Sequence, residues 1–283
     1  MRVKIVTDST SDIPAILAEQ LDITVVPLTV IFSEEESYKD GTTLTGDQFY
    51  QKVEELNVIP TTSQPTPFQF EEVYRSILTE DKDTVILSIH LSAKLSGTFQ
   101  AAQIAKQSLE EEKIHVIDSR SGSYAAGMIV VELAKLAQEG KSLDVCLARL
   151  DELLQETSVY FIVDTLEYLQ KNGRIGHASA LLGSLLKIKP ILSLSPEGEV
   201  FSYEKVRGQK KAISRLFAIL EEKYGTVPVH AGIIHARNEQ LAKEIEDSLK
   251  ETFDVQSSVV TSIGAVIGAH VGPGTIAISM TKA

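Results

Sequence analysis

The amino-acid sequence predicts an α/β protein of two domains, and three observations lead to that fold class. The chain has 283 residues, which exceeds one ordinary domain of roughly 100–200 residues. In the first half, short apolar runs alternate with amphipathic segments, a pattern that indicates a mostly parallel sheet with helices on both faces. After about residue 157 a hairpin signal at 195–198 interrupts that alternation. We therefore predict an N-terminal three-layer α/β domain at residues 1–157 and a smaller C-terminal α+β domain at residues 158–283.

In the first domain, apolar or β-branched runs predict strands and amphipathic runs predict helices. The first helix is predicted with Ser11 or Asp12 as its cap and Pro14 in its first turn. The strands are expected at residues 3–7, 23–32, 84–89 and 114–117, and the helices at residues 13–21, 46–56, 68–78, 96–108, 123–138 and 143–155. Residues 33–44 are acidic and irregular, and residues 60–67 have the composition of a loop.

In the second domain the same criteria predict strands at residues 159–163, 189–195, 199–206, 229–235, 255–261 and 275–280, and helices at residues 166–171, 179–186, 210–223 and 240–252. Residues 256–281 contain no Asp, Glu, Lys or Arg, and this run exceeds the length of a membrane span. Its hydroxyl residues and the helix-breaking sequence at 271–274 favour a buried loop and strand instead.

Composition excludes several classes of function. With 27 basic and 39 acidic residues, the net charge is −12, so the chain has no global basic footprint for nucleic acid and is repelled by anionic membrane surfaces. The single cysteine, Cys146, excludes an intramolecular disulfide and a cysteine-based zinc cluster, and predicts a reducing, cytoplasmic location. Cys146 itself is expected to be an inert residue of a partly buried helix. No nucleotide-binding, metalloprotease or nucleophile-elbow motif is present, and no metal site or cofactor is predicted.

Three segments are candidates for a binding site. Ser96-Gly97-Thr98 opens a helix shortly after the strand at 84–89, where the amide groups of a helix N-terminus favour an anion and Gly97 allows close approach. The hydroxyl-rich run at 61–67, which includes Thr62 and Ser63, either caps the next helix or contacts a ligand. His270 lies among glycines at 263–274, where it is either a core residue or a ligand contact.

The order and spacing of these segments resemble those of the DegV family across residues 3–280. The motifs that carry the resemblance are Val6-Thr7-Asp8-Ser9-Thr10, Thr62-Ser63-Gln64-Pro65, Leu95-Ser96-Gly97-Thr98, Asn172-Gly173-Arg174-Ile175, Lys205-Val206-Arg207-Gly208-Gln209-Lys210-Lys211 and His270-Val271-Gly272-Pro273-Gly274. The resemblance implies two domains with a long-chain, palmitate-like fatty acid buried between them. It implies a non-catalytic carrier: the fatty-acid-binding subunit of a bacterial fatty acid kinase, which presents the carboxylate to a separate ATP-dependent kinase and carries the acyl phosphate, with transient membrane contact.

The same resemblance assigns roles to individual residues. Thr62 and Ser96 would hold the carboxylate with His270 close by, and Arg174 would serve kinase docking. Ser63, Gly97 and Thr98 complete the candidate binding set from the residues of the two loops. Neutral hydroxyls, amides and one imidazole suit an anion in a chain of charge −12, because they bury no full countercharge. Four leucines near the domain junction are candidate tail contacts or core residues: Leu181, Leu182, Leu185 and Leu186.

Two other classes of function remain open at this point. An acyl hydrolase or transferase would use Ser96 as nucleophile, His270 as base and an acid such as Asp118 as orienter. A sensor that reports lipid to a transcriptional partner would need the same binding site. The sequence leaves the preferred chain length and the oligomeric state undetermined.

Overall fold

The computed structural model describes residues 2–182 and 188–283 of the chain. The strands are β1 Val3–Asp8, β2 Thr24–Val26, β3 Thr29–Ile31, β4 Ser37–Lys39, β5 Thr61–Ser63, β6 Val85–His90, β7 Ile114–Asp118, β8 Ser158–Ile162, β9 Lys189–Leu194, β10 Val200–Val206, β11 Val229–His235, β12 Val255–Ser262 and β13 Ile276–Lys282. The α-helices are α1 Ala15–Gln20, α2 Gly46–Leu56, α3 Pro67–Glu80, α4 Thr98–Leu109, α5 Tyr124–Gln138, α6 Leu143–Glu156, α7 Glu167–Lys171, α8 Gln209–Tyr224, α9 Glu239–Thr252 and α10 Ala265–Val271. Short 3-10 helices lie at Ser9–Ser11 and Gly176–Leu181.

The strands form three sheets. A four-stranded sheet has the order β2-β1-β6-β7 with every pair parallel, which confirms the predicted α/β fold class. A six-stranded sheet has the order β10-β9-β8-β13-β11-β12 and is antiparallel except for its β11–β12 pair. A small antiparallel sheet has the order β4-β3-β5. All strands of the six-stranded sheet come after residue 157, while the division into domains at that point stays a prediction.

Helix α5 lies between the two larger sheets. Its residues are apolar on nearly every side and most are buried, which is the pattern of a helix with protein on all faces. It contacts β1 and β6 of the parallel sheet and β11 and β13 of the six-stranded sheet. Helices α3 and α4 cover the opposite face of the parallel sheet, and α8 and α9 cover that of the six-stranded sheet. The central layer therefore joins the N-terminal and C-terminal halves in one hydrophobic core.

Three sequence predictions in the N-terminal half are wrong. Residues 23–32 were expected to form one strand, but Pro27 separates β2 in the parallel sheet from β3 in the small sheet. Proline donates no backbone hydrogen bond, so it ends the parallel ladder and lets the chain leave the sheet. The loop expected at 60–67 contains the edge strand β5, and the irregular segment at 33–44 contains β4.

A fourth prediction is wrong in the uncharged C-terminal run, where a helix, α10, stands in place of the expected loop. Its glycines at four-residue spacing form one face that touches its neighbours closely. A Cβ atom at Gly264, Gly268 or Gly272 would lie 2.7 Å from Asp12 Oδ1, from Tyr50 Oη or from Tyr168 Cδ2, respectively. Glycine is required on this face because a side chain would push α10 away from its neighbours. Across residues 2–182 and 188–283, every helix is too short or too polar to cross a bilayer.

Two buried carboxylates hold the N-terminus of α10. Asp12 Oδ1 accepts a hydrogen bond from the Gly264 amide at 2.9 Å, and Asp40 Oδ1 accepts one from the Ala265 amide at 3.0 Å. The Thr261 hydroxyl also donates to the Asp12 carbonyl at 2.8 Å. Acceptors and negative charge at a helix N-terminus satisfy its free amides and its dipole. Helix α10 is thus attached to residues more than 220 positions earlier in the chain.

The same burial makes these carboxylates unfavourable as anions. Burial raises the pKa of Asp40 to about 6, although the hydrogen bonds it accepts oppose this effect. Burial also raises the pKa of Asp12 well above its usual value, and the nearby Asp40 and Asp8 raise it further. Because the folded state then binds a proton more tightly than the unfolded chain, ionisation of these groups lowers the free energy of unfolding. For Asp40 this loss grows as the pH rises from 3.8 to about 6 and is complete above that range.

The Asp40→Asn variant tests this cost. It removes the buried charge and keeps an oxygen for the Ala265 amide. We expect its free energy of unfolding at pH 7 to exceed that of the parent by about 1–3 kcal/mol. The parent should gain more stability than the variant when the pH is lowered from 7 to 5. Urea unfolding at both pH values measures the two quantities, with the exposed Asp247→Asn as the matched control. A variant less stable than the parent at pH 7 would contradict the prediction.

Candidate ligand-binding site

A cavity of about 300 Å³ lies between the inner face of the six-stranded sheet and the loops that follow the parallel strands. The carboxyl ends of parallel strands are the usual place for a ligand in such sheets. The described residues that line the cavity are Leu28, Thr62, Ser63, Gln64, Leu91, Leu95, Ser96, Gly122, Ser123, Val159, Phe161, Leu169, Arg174, Leu194, Val200, Ile234, Ile263, Val266, Ile267, His270, Val271, Thr275 and Ala277. This lining is mostly apolar and includes no acidic side chain.

The sheet supplies an apolar floor to the cavity. Ala277 on β13 pairs with Phe161 on β8 and with Ile234 on β11, so the three side chains form one row on the same face. The small Ala277 side chain lies between two larger ones and leaves a depression in the middle of the row. Val159 and Leu194 extend the apolar floor toward β10. Such a surface suits an aliphatic chain, because burial of apolar surface along its whole length is favourable in free energy.

Polar side chains gather at one part of the cavity around Thr62 and His270. Thr62 lies in the edge strand β5, opposite Val30 of β3, and His270 lies in the last turn of α10. The Thr62 hydroxyl and His270 Nε2 are 2.9 Å apart, within hydrogen-bonding distance. The structure thus brings together two predicted site residues that are 208 positions apart in the sequence.

Asn172 fixes the relative position of these two elements. Its side-chain amide donates to the carbonyl of Pro60, just before β5, at 3.1 Å. The same amide donates to the carbonyl of Ala269, next to His270, at 2.7 Å. Both bonds hold the strand of Thr62 against the helix of His270, which explains the asparagine of the Asn172-Gly173-Arg174 motif. The motif is recognisable in the sequence, but no role for Asn172 is predicted from it.

Ser96 reaches the cavity from the loop before α4. Its hydroxyl lies 2.9 Å from the Thr98 hydroxyl and accepts a hydrogen bond from the Thr98 amide at 3.3 Å. Thr98 is fully buried and is not part of the cavity lining, so it supports Ser96 from behind. Gly97 also lies outside the lining, and the side chain of Gln64 occupies the space where a Cβ atom of residue 97 would be. Gln64 thereby links the Thr62 segment to the Ser96 loop.

Arg174 lies at the surface end of the polar group. It is exposed to solvent and also lines the cavity. Its side chain donates to the carbonyls of Leu95 at 3.1 Å and Asn172 at 2.7 Å, which joins the Ser96 loop to the turn after α7. Gly173 has a φ of +69°, so the tight turn that places Arg174 needs a residue tolerant of the left-handed region.

His270 is neutral at physiological pH. Burial, and to a smaller extent the positive charge of Arg174, lower the pKa of the imidazole to about 4. Its Nδ1 atom is buried and has no hydrogen-bond partner among the described residues. A neutral imidazole offers one donor and one acceptor, so His270 can orient the Thr62 hydroxyl without adding a charge.

The arrangement gives no support to a hydrolytic triad. Ser96 is bonded to Thr98 and His270 to Thr62, with no hydrogen bond between Ser96 and His270 in the described part of the chain. The Asp118 carboxylate accepts from the amides of Ala93 and Arg120 instead. In residues 2–182 and 188–283 no three His, Cys, Asp or Glu side chains cluster as a metal site would require.

The structure describes two of the four leucines that were expected near the tail. Leu181 is buried in the core and Leu182 is exposed, and neither is in the cavity lining given above. Leu185 and Leu186 lie outside the described residues, as does part of the helix expected at 179–186. Cys146 is buried in α6 as expected, and burial raises the pKa of its thiol.

Comparison with known proteins gives matches along the whole chain. Residues 2–283 match the family model described as "Uncharacterised protein, DegV family". A DegV domain-containing protein of Listeria monocytogenes is 38% identical over 279 residues, which cover 98% of each chain. A structure described as fatty acid binding of a DegV family protein from Thermus thermophilus is 38% identical, with a TM-score of 0.93 and 100% of both chains covered. That of DegV from Bacillus subtilis, described as a fatty acid binding protein, is 36% identical, with a TM-score of 0.88 and the same coverage.

The titration of His270 tests the electrostatics of the site. In the protein without a bound ligand we expect the His270 imidazole to stay neutral on acidification until about pH 4. The Arg174→Ala variant should titrate at a higher pH, because a nearby positive charge no longer opposes protonation. Imidazole chemical shifts followed by NMR between pH 4 and 8 measure the titration in the parent and in the Arg174→Ala variant. The signal that is missing in His270→Asn belongs to His270. Titration of that signal near pH 6.5 in the parent would contradict the prediction.

Proposed function

Because the chain belongs to the DegV family, we propose that it binds a long-chain fatty acid in the cavity between the two large sheets. The observation that carries the proposal is the shape of that cavity: an apolar floor with one group of neutral hydrogen-bonding side chains, Thr62, Ser63, Ser96 and His270, at the end where Arg174 reaches solvent. A fatty acid has the matching form, an apolar chain with one anionic end. Relatives from Thermus thermophilus and Bacillus subtilis are described as fatty acid binding, which supports the assignment.

The head group is held by hydroxyls in this proposal. With His270 neutral, its Nε2–H donates to Thr62 Oγ1, and the Thr62 O–H then donates to the carboxylate. Ser96 supplies a second hydroxyl from the opposite loop, and Thr98 behind it fixes its position. Such charge-assisted bonds are stronger than those between neutral groups. They leave the carboxylate charged without a fully buried cation, which would carry its own desolvation cost.

The tail supplies most of the affinity. Burying ~15 methylenes at ~0.8 kcal/mol each yields about 12 kcal/mol before the costs of ordering and association. The hydroxyls therefore set the direction of the ligand, and the apolar floor around Phe161 and Ala277 retains it. This division of roles predicts that loss of a single hydroxyl weakens binding without abolishing it.

The protein acts as a carrier and not as a catalyst in this proposal. Its resemblance to the fatty-acid-binding subunits of bacterial fatty acid kinases suggests a cytoplasmic role, in which it presents the carboxylate to a separate ATP-dependent kinase and carries the acyl phosphate. Arg174 supports the proposed kinase interaction, because its side chain is exposed to solvent, where a partner protein can contact it, and also lines the polar end of the cavity.

The first test removes the hydroxyls. We expect Thr62→Val and Ser96→Ala each to weaken fatty acid binding by about one to two decades, at 1.4 kcal/mol per decade. The double variant should lose more, since the buried carboxylate then has too few donors. Titration with palmitate measures the affinities. Exposed hydroxyls outside the cavity, Thr252→Val and Ser108→Ala, are the matched controls. If all the cavity variants bind palmitate like the parent, the carboxylate is held elsewhere.

The second test concerns the kinase. Arg174→Ala should keep palmitate affinity within a few-fold of the parent, because the tail and the hydroxyls remain. The rate at which a bacterial fatty acid kinase phosphorylates palmitate bound to this variant, with ATP, should fall by at least tenfold. Arg237→Ala is the control, because Arg237 is an exposed arginine paired with Glu54 and is not in the cavity lining. An unchanged rate of palmitate phosphorylation with the Arg174→Ala variant would contradict a role for Arg174 in kinase docking.

A further inference from the structure

Ser123 has an unusual backbone conformation at the wall of the cavity. It precedes α5 with φ 52° and ψ −152°, a region that residues other than glycine rarely adopt. Its side chain does not cap the helix. Ser123 is instead part of the cavity lining. Such strain persists only where the surroundings enforce it, and it is concentrated at functional sites.

Asp12 enforces the position of the Ser123 hydroxyl. The hydroxyl is hydrogen-bonded to Asp12 Oδ2, while Asp12 Oδ1 accepts from the Gly264 amide. Asp12 is buried, so the hydroxyl is backed by a carboxyl group that has no access to bulk solvent. The titratable groups that face this carboxyl are Asp8 on β1, Asp40 after β4 and Tyr50 on α2.

Ser123 lies away from the head-group end of the cavity. Its partner Asp12 is bound to Gly264 at the start of α10, and His270 follows six residues later in that helix. At 1.5 Å per residue this separation is about 9 Å along the helix axis. A fatty acid held at Thr62 would therefore pass Ser123 with the middle of its chain. Thr275, another hydroxyl residue of the lining, already donates to the carbonyls of Val271 and Gly272.

We propose that Ser123, backed by Asp12, is a second polar binding site within the tail cavity, for a hydroxyl group carried mid-chain by a hydroxylated fatty acid. A ligand hydroxyl can donate to Ser123 Oγ while Ser123 donates to an ionised Asp12. It can also accept from Ser123 when a protonated Asp12 donates to Ser123. The ligand hydroxyl is thus paired in either state, whereas elsewhere along the apolar floor it would be buried without a partner. This inference rests on the proposed function of fatty acid binding.

The test compares octadecanoic acid with its derivatives hydroxylated at carbon 9 or 17. In the parent, 9-hydroxyoctadecanoic acid should bind within about threefold of octadecanoic acid, and the 17-hydroxy isomer at least about tenfold more weakly. In Ser123→Ala the affinity for 9-hydroxyoctadecanoic acid should fall at least about tenfold more than the affinity for octadecanoic acid. Ser123→Gly removes the same hydroxyl and relieves the backbone strain, so it gives the same comparison if the alanine variant folds poorly.

Ser121→Ala is the matched control, because Ser121 lies two residues earlier and outside the cavity lining. It should bind every ligand like the parent. Equal effects of Ser123→Ala on the binding of octadecanoic acid and of its 9-hydroxy derivative would overturn the inference and leave the proposed function intact. So would equally weak binding of the 9-hydroxy and 17-hydroxy isomers to the parent. Failure of the parent to bind octadecanoic acid would overturn the proposed function and this inference together.

Discussion

The attachment of α10 to the N-terminal half is the constraint on which the cavity depends. The helix follows β12 of the six-stranded sheet, but Asp12 and Asp40 bind its first amides and its glycine face lies against Tyr50. This contact sets the distance between the two sheets at one end of the cavity. It also places His270 at the far end of a short, rigid helix, where the imidazole meets Thr62.

Asp12 links the start of α10 to the strained backbone at Ser123. One carboxylate oxygen holds the start of α10 and the other holds the Ser123 hydroxyl, whose backbone lies in a disfavoured region. A buried carboxyl is unfavourable for folding, and the raised pKa of Asp12 expresses that cost. In exchange for this cost, Asp12 fixes the junction between the two halves and holds one polar group in place within an apolar cavity.

The sequence predicts much of the fold because its periodicity reflects local physics. The bounds of α2 and β11 coincide with the predicted ranges, and strand–helix alternation gives the parallel sheet. One error has a local cause and another a long-range cause. Pro27 divides a run that is continuous in hydrophobicity, and α10 forms from a glycine-rich run because carboxylates distant in sequence cap it. The Thr62 and Ser96 loops are recognisable by their motifs, but Ser123 is not, since a positive φ at a serine leaves no pattern in the sequence.

The strand order of the six-stranded sheet has a consequence for biosynthesis. Strand β13 is made after every other strand of that sheet, yet it lies inside the sheet, between β8 and β11. During translation, the edges of β8 and β11 that will pair with β13 therefore stay unpaired. They are exposed to incorrect pairing until β13 leaves the ribosome. Contacts of this sequence separation also slow folding. The nascent chain is thus most vulnerable to aggregation after β8 and β11 have emerged and before β13 is available, and chaperone protection matters most during that interval.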